Sequence, residues 1–167
     1  AYGDSDKTYG GELWAIPTQG IYQGNGGGPT IWAVVSSPLL QIMKEEGFGT
    51  FFKASVTNDT IRLVGYAFVN DTDLIQTGKD GSESSLEVLQ QMQEGINLCE
   101  GLVSTTGGAI EVAKSTWWLI NFIWEDNGQW RYVTKADIPA KLFVKDVSGD
   151  RRAIPRLETS KAFATLG

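Results

Sequence analysis

Apolar positions along this chain fall into two patterns. In residues 84–103, Leu86, Leu89, Met92 (or Gln93), Ile96, Cys99 and Leu102 recur at three- and four-residue spacing, the signature of one face of an amphipathic helix. Ser84 and Glu87 form a capping box at its start, and Gly107-Gly108 closes the region. A second helix is predicted over 29–46. Pro29 suits its first turn, Gly47 suits its C-terminal cap, and Pro38 is expected to kink it or split it in two.

Elsewhere the apolar runs are short and rich in β-formers. Residues 51–56 and 61–69 read as strands joined by the turn Thr57-Asn58-Asp59-Thr60. The stretch 63–77, LVGYAFVNDTDLIQT, reads as a further hairpin, with Asn70-Asp71-Thr72 as its turn. Such a turn holds acidic side chains at the tip of a rigid element, where a hard divalent cation could bind. Ala109-Ile110 and 115–124 read as strand, followed by the turn Asp126-Asn127-Gly128 and a strand over 129–133. Residues 141–144 and 152–154 flank a Ser148-Gly149-Asp150 turn, and 156–166 is expected to begin a helix that the end of the sequence cuts short. Residues 1–11 read as an irregular lead-in and 12–16 as a short strand stopped by Pro17. These elements predict an α+β fold: an antiparallel sheet from 51–76 and 115–133, with both helices packed on one face.

Composition narrows the chemistry. A chain of 167 residues is expected to form one domain and to bury roughly 70% of its unfolded surface. The net charge of −6 disfavours a free-standing nucleic-acid binder. Only Arg151, Arg152, Arg156 and a few scattered Lys could build a basic face. The chain has no His, which excludes Ser-His, Cys-His and His-metal sites. Cys99, the one cysteine, falls on the apolar helical stripe and reads as a buried thiol. The apolar runs are too short to span a bilayer and no charged-then-apolar leader opens the chain, so an intracellular, soluble protein without membrane partners is expected. On the same ground the glycosylation-type triplets at Asn58 and Asn70 read as chance.

Two further features admit two readings each. Gly20–Pro29, GIYQGNGGGP, precedes a helix, but its spacing fits neither phosphate-binding glycine pattern, so a flexible turn at a close backbone approach is the reading kept. Trp117, Trp118, Trp124 and Trp130 could form a stacking surface for bases or sugars. Alternating aromatics on a half-buried sheet more usually face the core.

The order of features resembles the reverse-transcriptase family, in particular the retroelement type of protist and algal genomes. Gln23-Gly24, then Gly28-Pro29 and a helix, is similar to the family's QG…SP motif. Phe68-Val69-Asn70-Asp71 sits where the family carries aromatic-x-Asp-Asp, and 105–115, TTGGAIEVAKS, is similar to the following motif, a glycine turn ending in Lys114. The resemblance covers about residues 20–167. It implies a palm-like antiparallel sheet over 1–134 and the start of a thumb or connection region over 135–167. It implies Gln23, Gly24 and Phe68 at template and nucleotide, and residues 121–132 in the place of the strand pair that grips the primer. It also implies Lys114 protonating pyrophosphate, Mg²⁺ at Asp71 with Asp73 alongside, and an RNA template with a DNA primer as partners.

Two departures alter that expectation. The family's upstream metal-binding Asp would precede this stretch, and the first Asp of the turn is Asn70. An amide is neutral and offers one oxygen, so it cannot bridge two divalent cations. The expected product is a palm segment that is catalytically incomplete as it stands. The alternative is a non-enzymatic structural or protein-interaction subunit derived from one, with a protein partner. A Trp-lined carbohydrate- or ligand-binding β-protein is a third possibility.

Overall fold

A computed structural model describes residues 27–68, 71–79, 81–146 and 148–160. The lead-in, the strand expected over 12–16 and most of the glycine run lie outside these residues.

Among the described residues, two helices and eight short strands make an α+β fold. Helix α1 spans Gly28–Glu45 and α2 spans Ser85–Thr105. The strands pair only as consecutive antiparallel hairpins: β1 (Thr50–Lys53) with β2 (Thr60–Leu63), β3 (Gly65–Phe68) with β4 (Asp71–Leu74), β5 (Phe122–Trp124) with β6 (Trp130–Tyr132), and β7 (Leu142–Lys145) with β8 (Arg151–Ile154). The single sheet expected from 51–76 and 115–133 is therefore three separate two-stranded ribbons among the described residues, and β7–β8 adds a fourth beyond it. The predicted run 61–69 breaks at Val64, whose buried side chain turns into a core while the strands on either side join different ribbons.

Helix α2 organises the packing. Ser84 caps it as the sequence predicts: its hydroxyl accepts from the Glu87 N–H at 3.3 Å, while the Glu87 carboxylate accepts from the Ser84 N–H at 2.7 Å. Those bonds from Ser84 lower the Glu87 carboxyl below its ordinary range. Leu89 and Ile96 enter a core with Trp117, Leu119, Val133, Leu142, Val144 and Ile154. That core draws on both sides of position 134. Cys99 lies in a second, smaller core with Met43 of α1 and Val64, where burial and then the Glu100 charge raise its thiol pKa. Leu86, counted on the apolar stripe, is exposed instead.

The same helix covers an open strand edge. The Gln93 side-chain amide pairs with the Phe143 backbone in both directions, at 2.8 and 2.7 Å, and Glu100 accepts from the Lys145 N–H at 2.9 Å. Polar side chains of a helix thus satisfy β7 where a neighbouring strand would otherwise do so.

Helix α1 packs on β3 and α2. It runs unbroken through Pro38, so the expected split does not occur; one lost backbone bond is outweighed by packing at Ser36, Leu40 and Met43. It ends as predicted, with Gly47 at a φ of +94°. The strand expected over 115–124 is mostly irregular. A 3-10 turn, Val112–Lys114, comes first, then Trp117 pairs in parallel with Arg156, and only β5 is regular strand. That pairing holds residue 156 in an extended bridge, so the helix expected from 156 does not begin there; residues 161–166 lie outside the described set.

Candidate functional site

The β3–β4 hairpin carries the sequence-predicted carboxylates. Phe68 pairs with Asp71, Ala67 with Thr72, Tyr66 with Asp73 and Gly65 with Leu74, and Ile75 extends the ladder by donating to the Val64 carbonyl at 2.8 Å. The chain thus reverses between residues 68 and 71. Asp71 and Thr72, expected in the turn, are strand residues because the ladder closes two residues further out than the Asn-Asp pattern implies. Asn70 and the Phe68 side chain lie outside the described residues, as do Gln23 and Gly24.

Gly65 is what allows this register. A Cβ there would overlap the Asp73 carbonyl oxygen, so only glycine lets the two strands close at this pair. The packing of Leu74 against both cores then fixes the hairpin to the body.

Asp71 and Asp73 are exposed and share one face of β4, roughly 6.6 Å apart along the strand at 3.3 Å per residue. A hard cation such as Mg²⁺ demands six oxygens in a near-octahedral shell. No three Asp, Glu or Cys side chains converge to hold a metal among the described residues. Two solvated carboxylates fit, at most, one loosely held and largely hydrated cation; they do not fit a two-ion clamp. Lys114 ends the 3-10 turn, exposed, after Glu111 has accepted from the Ala113 N–H at 3.1 Å. This turn packs on β8, whereas β3 packs on α1, so Asp71 and Lys114 stand on different supports.

Arg151, Arg152 and Arg156, the residues that could have built a basic face, are each engaged elsewhere. Arg156 is 7% exposed, lies over the Trp117 ring at 5.2 Å and donates to the Ile138 carbonyl at 2.6 Å. Arg152 is paired with Asp146 at 2.9 Å and Asp150 at 3.2 Å, and the Arg152 bond lowers the Asp146 carboxyl. Arg151 stacks over Phe143 at 4.3 Å. A shallow hollow of about 360 Å³ between Ile110, Val112, Asp146 and Arg152 is bordered by these mutually paired charges.

A different surface stands out on β5–β6. Its register sets Phe122 opposite Tyr132 and Trp124 opposite Trp130, so all four rings occupy one face. That face is open: Phe122 is 50% exposed, Trp124 72%, Trp130 52% and Tyr132 40%. Phe122, Trp130 and Tyr132 pack ring on ring with centroids 5.2 to 5.5 Å apart, two of the three pairs edge to face. Trp117 alone among the four tryptophans singled out from the sequence is fully buried, and its indole N–H donates to the Ile154 carbonyl at 3.1 Å.

Why the ribbon faces this way is legible in its charges. Alternation suggested that the aromatics face the core. Instead Arg131 shares the inner face with Ile123, which packs on the larger core. Two carboxylates satisfy the guanidinium there: Asp137 at 2.7 and 2.9 Å and Glu125 at 3.1 Å. Asp137 also accepts from the Thr134 N–H and hydroxyl at 2.8 and 2.7 Å. The Arg131 bonds, then those from Thr134, hold the Asp137 carboxyl well below the usual range, and Asp137 raises Arg131 in return. The signal for this orientation was present in the sequence as Asp137 six residues after Arg131, but only the turn at Thr134 brings them together.

No described helix is long and apolar enough to cross a membrane. Comparison of the chain with protein families, with curated proteins and with solved structures finds no match.

Proposed function

We propose that the chain is a segment of a reverse-transcriptase-like palm that does not polymerise as it stands. The observation that carries this reading is the β3–β4 hairpin: Asp71 opens β4 immediately after a tight reversal, exposed, with Asp73 on the same face. The order of elements supports it, with a helix before the hairpin, a capped amphipathic helix after it, and then a glycine-rich turn ending at Lys114.

Phosphoryl transfer in such a palm needs a carboxylate clamp. Here Asn70 removes one anionic ligand, and no upstream Asp is assigned to the clamp. Each tenfold loss of rate is about 1.4 kcal/mol of transition-state stabilisation, and an incomplete set of metal carboxylates removes several such steps. Asp71 and Asp73 would hold a single Mg²⁺ weakly. The chain's own contribution would be to present the hairpin; Lys114 stands on a different support and would reach a leaving phosphate only through a rearrangement of the two.

Titration with Mn²⁺, read by paramagnetic broadening of the Asp71 and Asp73 resonances, tests the hairpin. Weak binding that tightens in Asn70→Asp supports a surviving clamp geometry; no difference between the two chains counts against it.

A non-enzymatic interaction module is the second reading. The observation favouring it is the exposed aromatic face of β5–β6 on a chain with net charge −6.

A further inference from the structure

The aromatic face of β5–β6 has a definable complement. Its four rings offer broad apolar surfaces, three of them in ring-on-ring contact and Trp124 standing apart as the most exposed. Its polar groups are almost all donors: the indole N–H groups of Trp124 and Trp130 and the hydroxyl of Tyr132, none of them bonded to another described residue. Beyond Tyr132 the face runs into a shallow hollow of about 290 Å³ bordered by Trp118, Ile120 and Thr159. Glu125 and Asp126 lie at the hairpin loop, and the ribbon's one cation, Arg131, is bound by two carboxylates on the opposite face.

We propose that this face docks a proline-rich peptide in the polyproline II conformation, with basic residues toward the Asp126 end. Such a segment carries carbonyl acceptors and few N–H donors, which matches a face that supplies donors on aromatic rings. Pyrrolidine rings pack flat on exposed aromatic faces without loss of much conformational entropy, because the ligand is already extended. With Glu125 already bound to Arg131, Asp126 is the loop carboxylate that favours Lys or Arg at that end of the peptide and opposes a phosphate backbone. The inference does not depend on the palm reading and holds whether or not the β3–β4 hairpin binds a cation.

Titration of the whole chain with a decapeptide of prolines ending in two arginines, followed by indole fluorescence and by amide chemical shifts, tests it. Saturable binding is expected, with shifts centred on residues 122–132. Trp124→Ala, at the most exposed ring, should weaken it at least about tenfold, as for an interface hot spot. Its thermal unfolding should match the parent chain, and Asp126→Asn should weaken the arginine-bearing peptide more than an all-proline one. Absence of saturable peptide binding, an unchanged affinity in Trp124→Ala, or tighter binding of a thymidine oligonucleotide or of cellohexaose at these residues would overturn the proposal.

Discussion

β3–β4 turns two carboxylates to solvent with no third acid among the described residues converging on them, whereas β5–β6 turns four aromatic rings to solvent, three of them packed ring on ring. Both are short antiparallel hairpins fixed to the body by apolar residues, Leu74 in one and Ile123 in the other. They differ in what their exposed side chains do for one another. Carboxylates at strand spacing repel and stay hydrated until a cation arrives, while aromatic rings at the same spacing associate and leave a preformed apolar surface. A motif can therefore mark one hairpin while the other has the better-formed surface.

The comparison breaks most severely if the shared support is removed. Leu142 is 2% exposed at the centre of the larger core, and Leu142→Ala should cost about 2–5 kcal/mol in denaturant unfolding. The β5–β6 ribbon should lose its shift dispersion along with it. Gly65→Ala acts on the other hairpin alone. Its Cβ meets the Asp73 carbonyl, so a loss of roughly 1–3 kcal/mol is expected, with the Asp71 and Asp73 resonances moving and those of residues 122–132 unchanged. Ser84→Ala removes the α2 cap that both hairpins lean on indirectly, at a cost of about 1 kcal/mol.

Acid sharpens the contrast. The Asp137 carboxyl is depressed by Arg131, so its contribution to folding is complete above its unfolded pKa, near 3.9, and is lost as pH falls through the lowered folded value. The β6 end of the aromatic ribbon should accordingly hold from neutral pH down to about pH 4 and loosen only in stronger acid, as followed by Trp fluorescence. In Asp137→Asn that dependence should disappear. The smallest effect belongs to Asp71→Asn, Asp73→Asn and their pair. These sites are exposed, so stability should change by less than about 0.5 kcal/mol while Mn²⁺ binding at the hairpin is lost.

Local signals in the sequence carried much of the fold. The capping box at Ser84, the cap at Gly47 and the turns at Asn58, Gly128 and Gly149 each lie where residue chemistry alone put them. What could not be read were choices decided by distant partners. Val64 divides one apolar run between two ribbons because its side chain meets Met43 and Cys99. Ile123 packs on the larger core and Arg131 pairs with Asp137 on that same side of the ribbon, which leaves Trp124 and Trp130 facing outward. Arg156, counted as surface charge, is drawn under Trp117 by the carbonyl of Ile138. At the candidate site, the exposure of Asp71 and Asp73 followed from their place on a hairpin, but their strand pairing did not follow from the turn pattern.

The central claim, an incomplete metal clamp, is tested most directly by primer extension on an RNA template with Mg²⁺ or Mn²⁺. The account predicts no nucleotide incorporation above background by this chain. Clear extension by the isolated chain would contradict it.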